Sequence, residues 1–177
     1  SVEGQGMLSP SSSSESSESV FNGSGAGTSS EPVTDEKLET ILKQVQSQLP
    51  AENGTWAVFI SDLVNGTEGS LNDQKMQAAS LIKLYIMGAV YEDYDSLSSK
   101  YSKDQLDNAL NSMITVSDND AANTLTTYLG GGDSAAGMQA VNSFCQAHGY
   151  DQTHMGRMLL ASNENDDNYT SVGDCGH

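Results

Sequence analysis

Ser80 and Lys83 stand three residues apart inside Ala79-Ser80-Leu81-Ile82-Lys83-Leu84-Tyr85-Ile86-Met87-Gly88-Ala89-Val90-Tyr91, a run that is otherwise almost wholly apolar. On a helix, that spacing puts two side chains on one face. A helix apolar on every side belongs in a core, where a charged lysine is costly to keep. Burial favours the neutral amine, and a neutral lysine beside a hydroxyl can act as its base. A serine at the start of a helix gains as well, because free N–H groups and the positive dipole end favour developing negative charge. A capping serine beside a snorkelling lysine would look the same in sequence. None of the other lysines (37, 43, 75, 100 and 103) has a serine three residues before it.

A second group lies downstream. Ser117-Asp118-Asn119 falls on a turn between two helical stretches, a place from which side chains project into clefts. Ser-x-x-Lys followed by Ser-Asp-Asn resembles the signature pair of the class A β-lactamases and penicillin-binding proteins. The surrounding text is similar in order: a helix, a Trp-led strand and hairpin, the Ser-x-x-Lys helix, a helical insert, then Ser117 to Asn123 running on to Leu129-Gly130-Gly131, and Asn165-Asp166 leading to Tyr169-Thr170-Ser171.

The resemblance covers about residues 34–177. It implies an α+β fold of the β-lactamase/transpeptidase type, represented here by most of its helical part and the first two strands of its antiparallel sheet. It implies that Ser80 is the nucleophile of an acyl-enzyme and that Lys83 takes or relays its proton. Ser117 would then pass a proton to the leaving nitrogen, and Asn119 would hold the substrate amide and Lys83. Asp118 would tie the turn together through backbone hydrogen bonds, and the Ser80 N–H would form half of an oxyanion hole. The implied substrate is a β-lactam or a D-Ala-D-Ala-type peptide of the cell wall, with no cofactor and no metal. The alternative is a non-catalytic cell-wall-binding or sensor domain on the same fold.

Two departures from the family pattern qualify this. No Lys, Arg or His is followed by Thr-Gly or Ser-Gly, so the third motif, which binds the substrate carboxylate, is absent. The chain is therefore expected to lack the C-terminal strands and helix of the fold, and to show little turnover as a 177-residue piece. In addition, if Arg157 opens the loop that carries the deacylating glutamate of class A enzymes, Met158-Leu159 stands in that glutamate's place. Glu164 is then the nearest acid, in surroundings that do not match. A Ser–His alternative finds little support among His148, His154 and His177: His148 ends a helix, and His154 lies in a loop without a recognisable acid partner pattern.

The elements that must position these residues follow from periodicity. Leu38, Ile41, Leu42, Val45 and Leu49 predict a one-sided helix over about 35–48, capped by Thr34 or Asp35 and stopped by Pro50. Residues 56–63 read as a mostly buried strand that turns at Asn65-Gly66 into a second near 67–71, and 72–79 as a polar approach. Helices are expected over about 80–92, from the Ser102-x-x-Gln105 capping box to about Met113, from about 117 to 129, and from 134 to 148. Asn163 to Asn168 reads as loop, and no strand is expected after residue 71. The Asn-Gly-Thr triplets at 53 and 65 match glycosylation sequons, though turn chemistry explains them without sugar.

Residues 1–33, rich in Ser and Gly and acidic, cannot bury enough apolar surface to fold and are expected to be a disordered tether. Seven Lys and Arg against 24 Asp and Glu give a net charge of −17, which argues against nucleic acid and anionic membrane surfaces as partners. No apolar run is long enough to span a bilayer. A Ser-rich tether ahead of a domain fits an exported, cell-surface protein. Cys145 and Cys175 have no metal-site spacing, and read either as free thiols or, in an exported protein, as one disulfide.

Overall fold

The structure, a computed structural model, describes residues 35–177, so the expected tether at 1–33 and the Thr34 cap lie outside the described residues. Helix α1 (Glu36–Gln48) starts at Asp35, whose carboxylate accepts the Leu38 N–H at 2.6 Å, and buries Leu38 and Leu42. Those two leucines lie on Gly69 of strand β2 (Thr67–Leu71), where a Cβ would come within 2.7 Å of both, so only glycine allows so close an approach. Strand β1 (Val58–Asp62) pairs antiparallel with β2, Val58 opposite Leu71 and Asp62 opposite Thr67. β1 is half-buried rather than mostly buried, because α1 covers one face of this two-stranded sheet.

The catalytic candidates sit on a helical cluster. A single 3-10 turn (Ala79–Leu81) leads into α2 (Ile82–Glu92), followed by α3 (Tyr94–Tyr101), α4 (Lys103–Thr115), α5 (Asn119–Leu129) and α6 (Ser134–Ala147). α2 is the central member. Its Ile82, Ile86 and Val90 pack with Leu106 and Met113 of α4, Leu125 of α5 and Val141 of α6, all fully buried. Burying seven such side chains is worth on the order of 10–20 kcal/mol before chain entropy is counted. α5 and α6 touch backbone to backbone: a Cβ at Gly137 would lie 1.8 Å from the Thr126 carbonyl oxygen.

Four further features depart from the sequence expectation. α2 is not buried all round: Leu84 and Tyr91 are 40% and 59% exposed, because no described element covers that face. α4 runs through Ile114-Thr115, and its side chains Leu106, Leu110 and Met113 alone had shown the periodicity. The approach at 72–79 holds a two-residue strand β3 (Met76–Gln77), which pairs antiparallel with β4 (Tyr169–Thr170), far along the chain. α3 and the short α7 (Val172–Gly176) were also unforeseen. Cys145 and Cys175 are both free, and burial pushes the Cys145 thiol up to about 12. No helix among the described residues is long and apolar enough to cross a membrane.

Candidate active site

Ser80 lies in the 3-10 turn at the head of α2, exposed, while Lys83 one turn later is 3% exposed. The preceding Ala79 has φ +47°, and Ser117 has φ +56°. Both are left-handed conformations that cost a residue with a Cβ about 1–2 kcal/mol, held here by the surrounding packing. The approach is pinned from behind, where the Ala78 N–H donates to the Asn168 carbonyl at 2.8 Å.

Four acceptors surround the Lys83 ammonium. Nζ donates to the Ser117 carbonyl at 2.6 Å, to Asn119 Oδ1 at 2.8 Å and to Ser117 Oγ at 2.9 Å, and reaches Ser80 Oγ at 3.3 Å. Ser117 Oγ in turn donates to Ser80 Oγ at 3.1 Å. Burial lowers the Lys83 pKa from its ordinary value, with the charge of Asp118 opposing the shift. Two of the four acceptors, the Ser117 carbonyl and Asn119 Oδ1, cannot donate. When Lys83 loses a proton its two remaining N–H bonds satisfy those two, and the lone pair faces the hydroxyls of Ser80 and Ser117. That is the arrangement a base needs toward either serine.

All five residues singled out in the sequence therefore occupy one locus. Asp118 turns away from the ammonium to cap α5, accepting the Ala121 N–H at 2.8 Å. Ser80 and Ser117, with Ala78, Leu81 and Ile114, line an open groove of about 450 Å³.

The loop beyond α6 borders this region and was legible only in part. Arg157 Nε donates to Asp167 Oδ1 at 2.6 Å, and its guanidinium also donates to the Ala161 carbonyl, which closes residues 157–167 into a loop. Backbone N–H donation from Asn168, then Arg157, holds the Asp167 carboxyl down at about 2. Asn123, unassigned from sequence, grips the loop with both ends of its amide: it accepts the Leu159 N–H at 2.8 Å and donates to the Leu159 carbonyl at 3.1 Å. Its signal was its place one turn after Asn119 on α5. Leu159 is itself buried, and Glu164 is exposed and makes no hydrogen bond to Ser80 or Lys83.

The histidines are paired elsewhere. His148 meets Glu92 at 2.5 Å and His177 meets Glu68 at 2.8 Å. His154 does have an acid partner, against the sequence reading, in Asp166 at 2.6 Å. Among the described residues, no histidine hydrogen-bonds to Ser80.

With this geometry in place, comparison with known proteins is informative. A model of the β-lactamase enzyme family matches residues 37–104 and 96–177. Penicillin-binding protein D2 from Listeria monocytogenes, solved in its ampicillin-bound form, shares the fold at a TM-score of 0.53 and 21% identity, over 68% of this chain and 57% of its own. The D-alanyl-D-alanine carboxypeptidase DacD from Francisella tularensis does so at a TM-score of 0.54 and 20% identity, over 72% of this chain and 37% of its own. The chain thus spans little more than half of one neighbour's length and about a third of the other's. No curated protein matches the sequence. The fold is the α+β architecture of the β-lactamase/transpeptidase type. A match over most of the described residues makes the assignment plain: the chain belongs to the β-lactamase enzyme family.

Proposed function

We propose that the chain carries the acylation half of a serine hydrolase that attacks β-lactams or D-Ala-D-Ala-type peptides through an acyl-serine intermediate. The observation that carries this is the position of Lys83 Nζ, buried within 3.3 Å of Ser80 Oγ and 2.9 Å of Ser117 Oγ. In this reading Lys83 takes the Ser80 proton, the oxygen attacks the carbonyl, and Ser117 hands a proton to the leaving nitrogen. Asn119 holds Lys83 and the substrate amide, and Asp118 holds the turn. In the same reading the Ser80 N–H, at the head of α2, supplies one of the two donors to the developing oxyanion.

The apolar Leu159, held where the sequence resemblance puts a deacylating glutamate, favours a long-lived acyl-enzyme over rapid β-lactam turnover. That trait suits a penicillin-binding peptidase or a β-lactam sensor better than a fast β-lactamase, acting at the cell surface as the tether-like composition of residues 1–33 suggests. Incubation with a fluorescent penicillin tests it. Stable labelling that disappears in Ser80→Ala is expected, and undiminished labelling of that variant would refute the assignment.

A further inference from the structure

We infer that Asp118 governs acylation through Lys83: one carboxylate oxygen caps α5, while its negative charge holds the lysine as the ammonium and so sets the pH at which Ser80 reacts. The inference rests on the acylation of Ser80 proposed above, and gives Asp118 a part in it beyond tying the turn. Lys83 is 3% exposed, and its four hydrogen-bond partners are all neutral: the Ser117 carbonyl, the Asn119 amide and the hydroxyls of Ser117 and Ser80. Among the described residues it forms no ion pair. A buried cation with neutral partners alone is costly, and sheds that cost by losing its proton. One carboxylate stands fixed beside it. Asp118 lies between Ser117 and Asn119, both bonded to Nζ, and its Oδ1 is tied to the Ala121 N–H at 2.8 Å. It neither swings in to pair with the ammonium nor drifts off into solvent, so it acts through space.

The other ionisable groups on the packing elements are engaged elsewhere or lie in solvent. Asp120 on α5 is exposed, Asp107 on α4 accepts the Tyr94 hydroxyl, and on α2 itself Glu92 meets His148 and the Tyr85 hydroxyl meets Thr170. Burial therefore drives Lys83 toward the neutral base, and the charge of Asp118 opposes it. The capping bond and the charge are separable by substitution. A cap needs only a side-chain oxygen, and Asn and Ser supply one about as well as Asp.

Asp118→Asn and Asp118→Ser thus remove the charge and keep the cap. A chromogenic cephalosporin reads the consequence. Ser80 Oγ forms a bond to the lactam carbonyl carbon, the carbon–nitrogen bond breaks, and the Ser80 proton reaches the nitrogen by way of Lys83 and Ser117. One ring opens per acyl-enzyme formed, so the burst reads acylation alone. Without the negative charge Lys83 deprotonates at lower pH, and both variants should show a burst about two- to fivefold faster than the parent near pH 6, scaled from two partly screened unit charges. At the high-pH plateau they should be no faster, because the lysine has become a weaker base. Their profiles therefore cross the parent's, which loss of a merely structural contact would not produce. Melting temperatures should stay at the parent value or just below it, the small loss being the charge at the α5 dipole.

A titration of the lysine ¹³Cε resonances without substrate separates the two claims. The chain has six lysines, and the Lys83 signal is the one that Lys83→Arg removes. Its midpoint should move to lower pH in both neutral-cap variants while the other five stay in place. An unmoved Lys83 midpoint would overturn the inference and leave the acylation of Ser80 standing. So would a failure of both variants to fold, since the charge would then belong to the cap. A moved midpoint with no burst in any form of the protein would overturn the reaction and leave the coupling of Asp118 to Lys83.

Discussion

The Lys83 ammonium and the side-chain carbonyl of Asn119 meet at 2.8 Å, although 36 residues separate them. This contact fastens the head of α5 to the first turn of α2. It also fixes one N–H of Lys83 on an atom that can only accept, which leaves any lone pair of the neutral amine for the serine hydroxyls.

The pH dependence of acylation follows from that arrangement. In the proposed reaction the neutral form of Lys83 is the base, and burial favours that form, so its pKa lies below the ordinary 10.5. The burst rate should climb with pH and reach its plateau before pH 10.5, as stopped-flow measurement across pH 6 to 11 would show. Lys83→Arg cannot deprotonate in that range and should lose about 10²–10⁴ in rate at every pH. A full-rate Arg variant would exclude the lysine as base.

Asn123 predicts a stability effect without a change in surface charge. Asn123→Ala leaves the N–H and C=O of buried Leu159 without partners. A loss of about 1–3 kcal/mol is expected, read from denaturant midpoints at constant m. Protection of the amides in 157–167 from hydrogen exchange should fall first.

The Arg157–Asp167 pair makes the loop acid-sensitive. The folded Asp167 carboxyl is held down at about 2, below its ordinary 3.8. Its contribution is therefore complete above pH 4 and disappears as pH falls from about 4 to 2. Asp167→Asn should be less stable than the parent at pH 7, and the difference should shrink through that window in thermal melts.

Ala79 offers a test of stored strain. At φ +47°, a glycine escapes about 1–2 kcal/mol of steric cost and gives back about 0.4–1 kcal/mol through the more flexible unfolded chain. Ala79→Gly should leave stability unchanged or raise it by up to about 1.6 kcal/mol. The same change at fully buried Ala122, inside α5, should lower it.

The parts visible in the sequence were those whose information is local. Ser80, Lys83, Ser117 and Asn119 announce themselves by type and spacing, and α1, α4, α5 and α6 by caps and apolar period. α3 has Leu97 as its single buried residue and so carries no period to read. β3 and β4 are two residues each, too short for alternation, and exist only because the chain brings Met76 to Thr170. The Asn123 clamp stayed hidden because its partner is backbone, which has no sequence signature. The exposure of Leu84 and Tyr91 could not be read either, since composition reports that a helix is apolar and not whether a neighbour covers it.

The central claim is that Ser80 becomes acylated. Trypsin releases residues 76–83 (Met-Gln-Ala-Ala-Ser-Leu-Ile-Lys), in which Ser80 is the one hydroxyl. After incubation with ampicillin and rapid acid quench, mass spectrometry should find this peptide heavier by one intact ampicillin, with its unmodified form restored by Lys83→Arg. An unmodified 76–83 peptide in the parent protein, or an adduct mapped to any other peptide, would contradict the account.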